Sequence, residues 1–209
     1  MAKTEPFDNF LNEYEQWFIE NNYVYESELQ AIRQLLPTKG RGIEVGIGSG
    51  LFAKPLGITE GCDPSANMLN QATERGLEVT KGVAENLPYM DESVDYALMV
   101  TAICFVDNVD KTFKELHRTI KPNGSVVMAF VDKNSPVGKI YQKEKDKSIF
   151  YKDATFFSTK ELSDMFVKNG FTIVDTVQTV YGMVNEITEV QQTQKGYGEG
   201  SFVVIKAQK

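Results

Sequence analysis

One histidine, one tryptophan and two cysteines are all that 209 residues provide of those three types. With His117 the sole imidazole, chemistry that pairs a serine with a histidine base has one residue to draw on. Cys62 and Cys104 make neither a disulfide framework nor a metal site. Both lie in apolar stretches without a basic neighbour, where a thiol behaves as a small hydrophobe. Positive charge is also scarce. Lys and Arg number 22 against 29 Asp and Glu, a net charge of −7 that argues against a phosphate-backbone partner. No hydrophobic run is long. The stretch Tyr96–Val106 falls short of the ~18 residues a membrane span needs. Glu5 and Asp8 stand where a secretory signal would be basic, so the expected compartment is the cytoplasm, with no membrane. What is present, 42% hydrophobic and 24% charged residues, is the composition of a soluble globule.

The chain begins helical. Phe7, Phe10, Leu11, Tyr14, Trp17 and Phe18 recur at spacings of three and four, and Ser27-Glu28-Leu29-Gln30 reads as a capping box opening a second helix that ends before Pro37. Short apolar runs then alternate with helical stretches. Strands are expected at 41–45, 58–62, 77–80, 94–100 and 125–131, with helices after Gly50 and over 65–75 and 108–120. Such alternation means a parallel sheet covered by helices on both faces. Ser135-Pro136 and the capping box Ser158-Thr159-Lys160-Glu161 open two more helices, the second ending at Asn169-Gly170. Two strands, 171–181 and 202–206, close the chain across a Gln-rich connection. The turn Gly196-Tyr197-Gly198-Glu199-Gly200 fits either a lid or a hairpin-like connection.

Open parallel sheets bind ligands beyond the carboxyl ends of their strands. The first strand ends in Glu44-Val45-Gly46-Ile47-Gly48-Ser49-Gly50, the second in Asp63-Pro64, and the third leads to Gly82-Val83-Ala84-Glu85. The fourth delivers Thr101 and then Asp107, and the fifth delivers Asp132. The third glycine of the loop follows the second by two residues, so this is not the dinucleotide G-x-G-x-x-G spacing. Asp63 is placed to accept from both hydroxyls of a ribose. His117 lies about nine residues into its helix, roughly 14 Å from the strand-end edge at 1.5 Å per residue. No residue is singled out as a general base.

These residues carry a resemblance. Glu44-Val45-Gly46-Ile47-Gly48-Ser49-Gly50 looks like motif I of class I S-adenosylmethionine-dependent methyltransferases, and Gly61-Cys62-Asp63-Pro64 resembles their acidic second-strand motif. Val83-Ala84-Glu85-Asn86-Leu87-Pro88, Asp91-Glu92-Ser93-Val94-Asp95 and the turn from Glu115 to Gly124 are similar to later segments of the type-11, ubiquinone-methyltransferase-like branch. The resemblance implies an α/β, Rossmann-like, seven-stranded, mostly parallel sheet with its last strand antiparallel and an N-terminal helical extension. It also implies S-adenosylmethionine as cofactor, S-adenosylhomocysteine as product, and a small-molecule acceptor without metal. Carried over, Gly46, Gly48 and Gly50 face the methionine and ribose part, and Glu44 orders that loop or the cofactor's amino group. Asp63, beside Pro64, holds the ribose, Ala84 and Glu85 meet the adenine, and Thr101 lies by the methionine. Val83 departs from the Asp many relatives carry there. The division is one domain over 1–209: a helical cap 1–37, a cofactor-binding core 40–132, and a part 133–209 with a substrate-side insertion and two last strands.

The acceptor site is expected outside the shared core. Tyr14, Trp17, Cys104, Asp107, Asp132 and Tyr151 are its candidates, the last in an insertion 135–157 that also carries Tyr141, Phe150, Phe156 and Phe157. Aromatic faces suit an aromatic or cationic acceptor, although an aromatic stripe at helical spacing is also what a core looks like. Two rivals stand: a cofactor-binding sensor without turnover, and a nicotinamide-dependent oxidoreductase, which the glycine spacing and Glu44 disfavour.

Overall fold

The computed structural model describes residues 4–209. Its centre is a sheet in the order β3-β2-β1-β4-β5-β8-β6-β7. The strands are β1 (Gly42–Val45), β2 (Glu60–Asp63), β3 (Glu78–Lys81), β4 (Val94–Val100), β5 (Ile120–Val131), β6 (Thr172–Thr179), β7 (Gln194–Lys195) and β8 (Phe202–Gln208). The first five pair in parallel, and β8 inserts antiparallel between β5 and β6. The expected antiparallel last strand is there. An eighth strand arises because Gln194 and Lys195, in the Gln-rich connection, pair with the outer edge of β6. The glycine-rich segment after it is neither lid nor hairpin. It carries the chain across the end of β6 to β8, held where Gln178 Oε1 accepts from the N–H groups of Glu199 and Gly200 (2.9 and 2.7 Å).

Alternation along the central strands makes two cores. Tyr96, Leu98 and Val100 of β4, with Val127 and Ala129 of β5 and Phe202 and Val204 of β8, face one layer. Ala97 and Met99, Val126 and Met128, and Val203 and Ile205 face the other. The first layer is covered by α3 (Asn22–Leu35), α4 (Ala53–Leu56) and α5 (Ala66–Glu74), and the second by α6 (Val109–Thr119) and α8 (Thr159–Lys168). Strands buried on both faces read as continuous apolar runs, and this is why 94–100 was visible in the sequence.

Local start signals hold wherever nothing overrides them. Ser65, Asn108 and Ser135 cap α5, α6 and α7 (Pro136–Lys143) through their side chains, and the box of Ser158 with Glu161 opens α8. The N-terminal region departs from expectation. Its first helix breaks at Phe10 into α1 (Glu5–Asn9) and α2 (Leu11–Glu20), and α3 starts at Asn22, so the expected capping box at Ser27 does not form. Ser27 is instead inside the helix and buried, donating to Tyr23 O (2.6 Å) and accepting from Gln191 N (2.8 Å). Packing of Val24, Ala31 and Ile32 against the sheet extends the helix past the local signal.

Candidate functional site

The order of the strands reverses between β1 and β4, where an open α/β sheet leaves a crevice at its carboxyl edge. A cavity of about 240 Å³ opens there, room for on the order of twenty waters and so for small molecules. The loop after β1 forms one wall. Gly46, at φ +72°, donates to Cys62 O (2.8 Å), and a Cβ on it would come within 2.5 Å of Ala102 Cβ. Gly48, at φ +54°, presents a bare Cα to the cavity and donates to Asp63 Oδ2 (2.9 Å). The other oxygen, Oδ1, accepts from Ser65 N (2.8 Å), so Asp63 is fixed by two N–H donors while lining the cavity. Burial nevertheless pushes its carboxyl up to about 6. Thr101, at the end of β4, adopts φ +50°, a strained conformation for a β-branched residue, and also lines the cavity.

Seven of the nine expected cofactor residues line this space: Gly46, Gly48, Asp63, Pro64, Ala84, Glu85 and Thr101. Glu85 does more, because its Oε1 accepts from the N–H groups of Asp107 (2.6 Å) and Asn108 (3.0 Å) and so fixes the loop that brings Asp107 to the wall. Glu44 and Gly50 stand behind the wall. Gly50 makes room for packing, since a Cβ there would sit 2.3 Å from Leu77 Cδ1. Glu44 is 1% exposed beneath the loop, with burial holding its carboxyl well above the usual range against a hydrogen bond from the Ala53 backbone. Its Oε2 has no hydrogen-bond partner among the described residues.

Of the expected acceptor residues, Tyr14, Trp17, Asp107 and Tyr151 line the cavity. Two do not. Cys104 lies behind it, donating to Thr101 O (2.7 Å) and lining a smaller crevice with Phe156 and Phe157. Asp132 is buried and bound to its own loop: Oδ2 accepts from Thr159 N (2.7 Å) and Oγ1 (2.6 Å), and Oδ1 from Asn134 N (2.7 Å). It joins the end of β5 to the start of α8. His117 packs edge-on against Phe171 (5.4 Å between ring centres), off the cavity.

The far wall is aromatic. Phe7 meets Phe105 (5.0 Å) and Phe150 (5.7 Å), Trp17 meets Phe18 (5.0 Å), and Tyr141 stacks on Tyr151 (4.7 Å). α1 and α2 are thus zipped to the insertion. They are also latched to the glycine loop by Arg75, which reaches Glu15 Oε2 and Ser49 O (both 2.6 Å). Sequence reasoning missed Glu28, which lines this end and is 7% exposed. The signal was available: Glu28 falls four residues from both Val24 and Ile32, on the buried stripe of α3. Among the described residues lining the cavity there is no Lys, Arg or His, while Glu13, Glu28, Asp63, Glu85 and Asp107 bring five carboxyls. No cluster of described residues could hold a metal ion, and no helix among them is long and apolar enough to cross a membrane.

A glycine loop and an acid at the switch point of a 3-2-1-4-5 sheet place this fold with the class I methyltransferases. The family model for a methyltransferase domain matches residues 43–128. A SAM-dependent methyltransferase of Thermotoga maritima, whose name adds "possible histamine N-methyltransferase", is 49% identical, covers 99% of both chains and superposes with a TM-score of 0.96. An uncharacterised protein of Methanocaldococcus jannaschii is 40% identical over 203 residues, spanning 97% of this chain and 98% of its own. Phosphoethanolamine N-methyltransferase 2 of Caenorhabditis elegans is 29% identical over 95% of this chain and 48% of its own length. The chain belongs to the class I S-adenosylmethionine-dependent methyltransferases, in their type-11 branch, and its cofactor is S-adenosylmethionine.

Proposed function

We propose that this methyltransferase acts on a small molecule held beneath the N-terminal helices, the whole chain working as one unit of cap 1–37, core 40–132 and C-terminal part 133–209. The observation that carries this is one cavity lined both by Gly48 and Asp63 and by Trp17, Phe18, Tyr141 and Phe150. The site fits the cofactor on its own terms. Gly48 leaves room for close approach, Asp63 turns an acceptor toward hydroxyls, and the unpartnered Glu44 Oε2 lies near Tyr14, below the loop. Asp63 would hold the ribose, Glu44 would order the glycine loop through Ala53, and Ala84 with Glu85 would border the adenine.

When bound, S-adenosylmethionine supplies a methyl group already activated by its sulfonium charge. What this chain contributes is alignment of the acceptor and exclusion of water by Phe7, Phe105 and Phe150. Such orientation is worth several kcal/mol. The all-acidic lining favours cationic ligands and opposes phosphates, so neither a nucleic acid nor a dinucleotide pyrophosphate suits it. The name of the Thermotoga protein, a possible histamine N-methyltransferase, points the same way. Incubation with S-adenosylmethionine and a panel of small amines, phenols, peptides and RNA, followed by S-adenosylhomocysteine release, tests this reading. Turnover on a small molecule supports it, turnover only on protein or RNA overturns it, and tight cofactor binding without turnover favours a sensor.

A further inference from the structure

Among the described residues, Glu28 is the one carboxyl at the cap end that is both buried and without a hydrogen-bond or ion-pair partner. Glu85 is bound to backbone N–H groups and Asp63 to two more, but Glu28 takes part in no hydrogen bond or ion pair among the described residues, and burial alone pushes it up to about 8. Its surroundings are tyrosines. Tyr14 of α2, Tyr25 of its own helix, Tyr141 of α7 and Tyr151 of the insertion all feel its charge. Three of them, with Trp17 and Phe18, line the same cavity, and the Tyr14 hydroxyl reaches the glycine loop, 3.8 Å from where a Cβ on Gly48 would lie. A carboxyl left in such a place costs stability unless a ligand uses it, because burying an unpaired charge is unfavourable. Aromatic faces around a carboxylate form the environment that holds an organic cation, through ring quadrupoles and one charge-assisted hydrogen bond.

We propose that Glu28 is the charge-selecting residue of the acceptor site, and that the acceptor is a small amine that enters as its ammonium, lays its apolar or aromatic body among Tyr14, Trp17, Tyr141 and Tyr151, and gives one N–H proton to the Glu28 carboxylate, so that the neutral nitrogen attacks the methyl group. This rests on the reading of the cap end as the acceptor site. It goes further in assigning the residue that reads charge and in excluding neutral phenols and anions as preferred ligands. No cation of the protein competes for Glu28, since no basic residue among those described lines the cavity.

The pH dependence carries a signature. An ammonium needs the ionised carboxylate, so amine affinity falls about tenfold per pH unit below about 8 in the wild type and stays flat in a variant without the charge. The facing tyrosines do not interfere: Tyr25 and Tyr141 are raised to about 12, and Tyr14 and Tyr151 are raised as well. Asp63 titrates near 6, and Glu44 lies beneath the cofactor end, so pH 7 to 9 isolates Glu28 from Asp63 while the S-adenosylhomocysteine titration monitors that end.

The test is a titration of the full chain, saturated with S-adenosylhomocysteine, by 2-phenylethylamine, 2-phenylethanol, n-hexylamine, 1-hexanol and 3-phenylpropionate, read from Trp17 fluorescence and by calorimetry. Each amine is expected to bind at least tenfold tighter than its alcohol, and the acid not at all. Glu28→Gln should erase that preference with S-adenosylhomocysteine affinity within twofold of wild type, and Glu28→Asp should keep part of it. Equal binding of amine and alcohol in the wild type overturns the proposal, as does a preference that survives Glu28→Gln. Failure of S-adenosylhomocysteine to bind the wild type overturns the underlying site assignment instead, and is seen before any amine is added.

Discussion

The two ends of the cavity are made by different means. At the cofactor end, Gly46, Gly48, Asp63 and Thr101 sit within a residue or a few of the strand that delivers them, and backbone N–H groups hold the acid in place. At the cap end, Trp17, Glu28, Tyr141 and Phe150 come from separate helices and an insertion, and ring contacts join α1 and α2 to that insertion. The first end is fixed by local chain geometry, and its residue types follow from turns and caps. The second is fixed by tertiary packing, which many sequences satisfy, and so it is free to carry the specificity. The difference makes the two ends separable by mutation.

The largest effect is expected at the fixed end. Asp63→Ala removes the acceptor that faces the cavity and leaves the N–H groups of Gly48 and Ser65 without their partner. S-adenosylmethionine affinity should fall roughly 10²–10³-fold, as for loss of charge-assisted hydrogen bonds, with no heat from NADH in either protein. Calorimetry checks this, after denaturing a sample to assay for co-purified product. An unchanged affinity would show that the acid serves only the loop.

A second test works from the other end. Glu28 is held at about 8 against an ordinary 4.5, so the folded protein keeps a proton that the unfolded chain has already released between those values. Stability is therefore greatest on the acid side and is lost as pH rises from about 4.5 to about 8, by at most about 1.4 kcal/mol per unit. Asp63, raised from 3.8 to about 6, adds the same sign over its own narrower window. Without cofactor, Glu28→Gln should melt near wild type at pH 5 and clearly above it at pH 9. Parallel melting curves across that range would mean that Glu28 is solvated or paired in solution.

The same contrast explains what the sequence could reveal. Strand 94–100 was legible to the residue because both its faces are buried, and α8 because Ser158 and Glu161 act within one turn. The glycine loop and Asp63 were legible for the same local reason. Ser27 carried an equally good local signal and lost to packing on Val24 and Ile32. Glu28 hid inside that misread start, and the partners of Asp132 could not be seen because Thr159 lies across the insertion. An acid at a strand end looks identical in sequence whether it faces a ligand or ties down a loop.

Asp132 therefore gives a middle-sized prediction. Asp132→Ala should cost about 1–3 kcal/mol, the desolvation penalty of the buried N–H and hydroxyl of Thr159 left unpaired. At roughly 2–4 °C per kcal/mol for a chain of this length, thermal melting will resolve it. Cofactor affinity should stay within about twofold, since the side chain does not line the cavity. A tenfold loss would return Asp132 to the site.

The smallest effect is expected at the one ion pair that, among the described residues, joins the cap to the core. Arg75 joins Glu15 of the cap to Ser49 O of the glycine loop, at 2.6 Å each, with side chains 23% and 24% exposed in the ion pair. Its worth is limited because a part-exposed pair exchanges one set of solvated partners for another, and about 0.5–1 kcal/mol is the scale for Arg75→Met. The methylene stem is kept, so packing on α5 changes little. If the ends are coupled only through this tie, cofactor affinity and amine affinity should fall together, by roughly two- to threefold, and the loss should shrink in high salt. If the ring contacts of Phe7, Tyr14 and Phe150 already hold the cap down, stability falls slightly while both affinities stay put. Titrating both ligands against Arg75→Met at two salt concentrations decides between a latched cap and one closed by its aromatic packing.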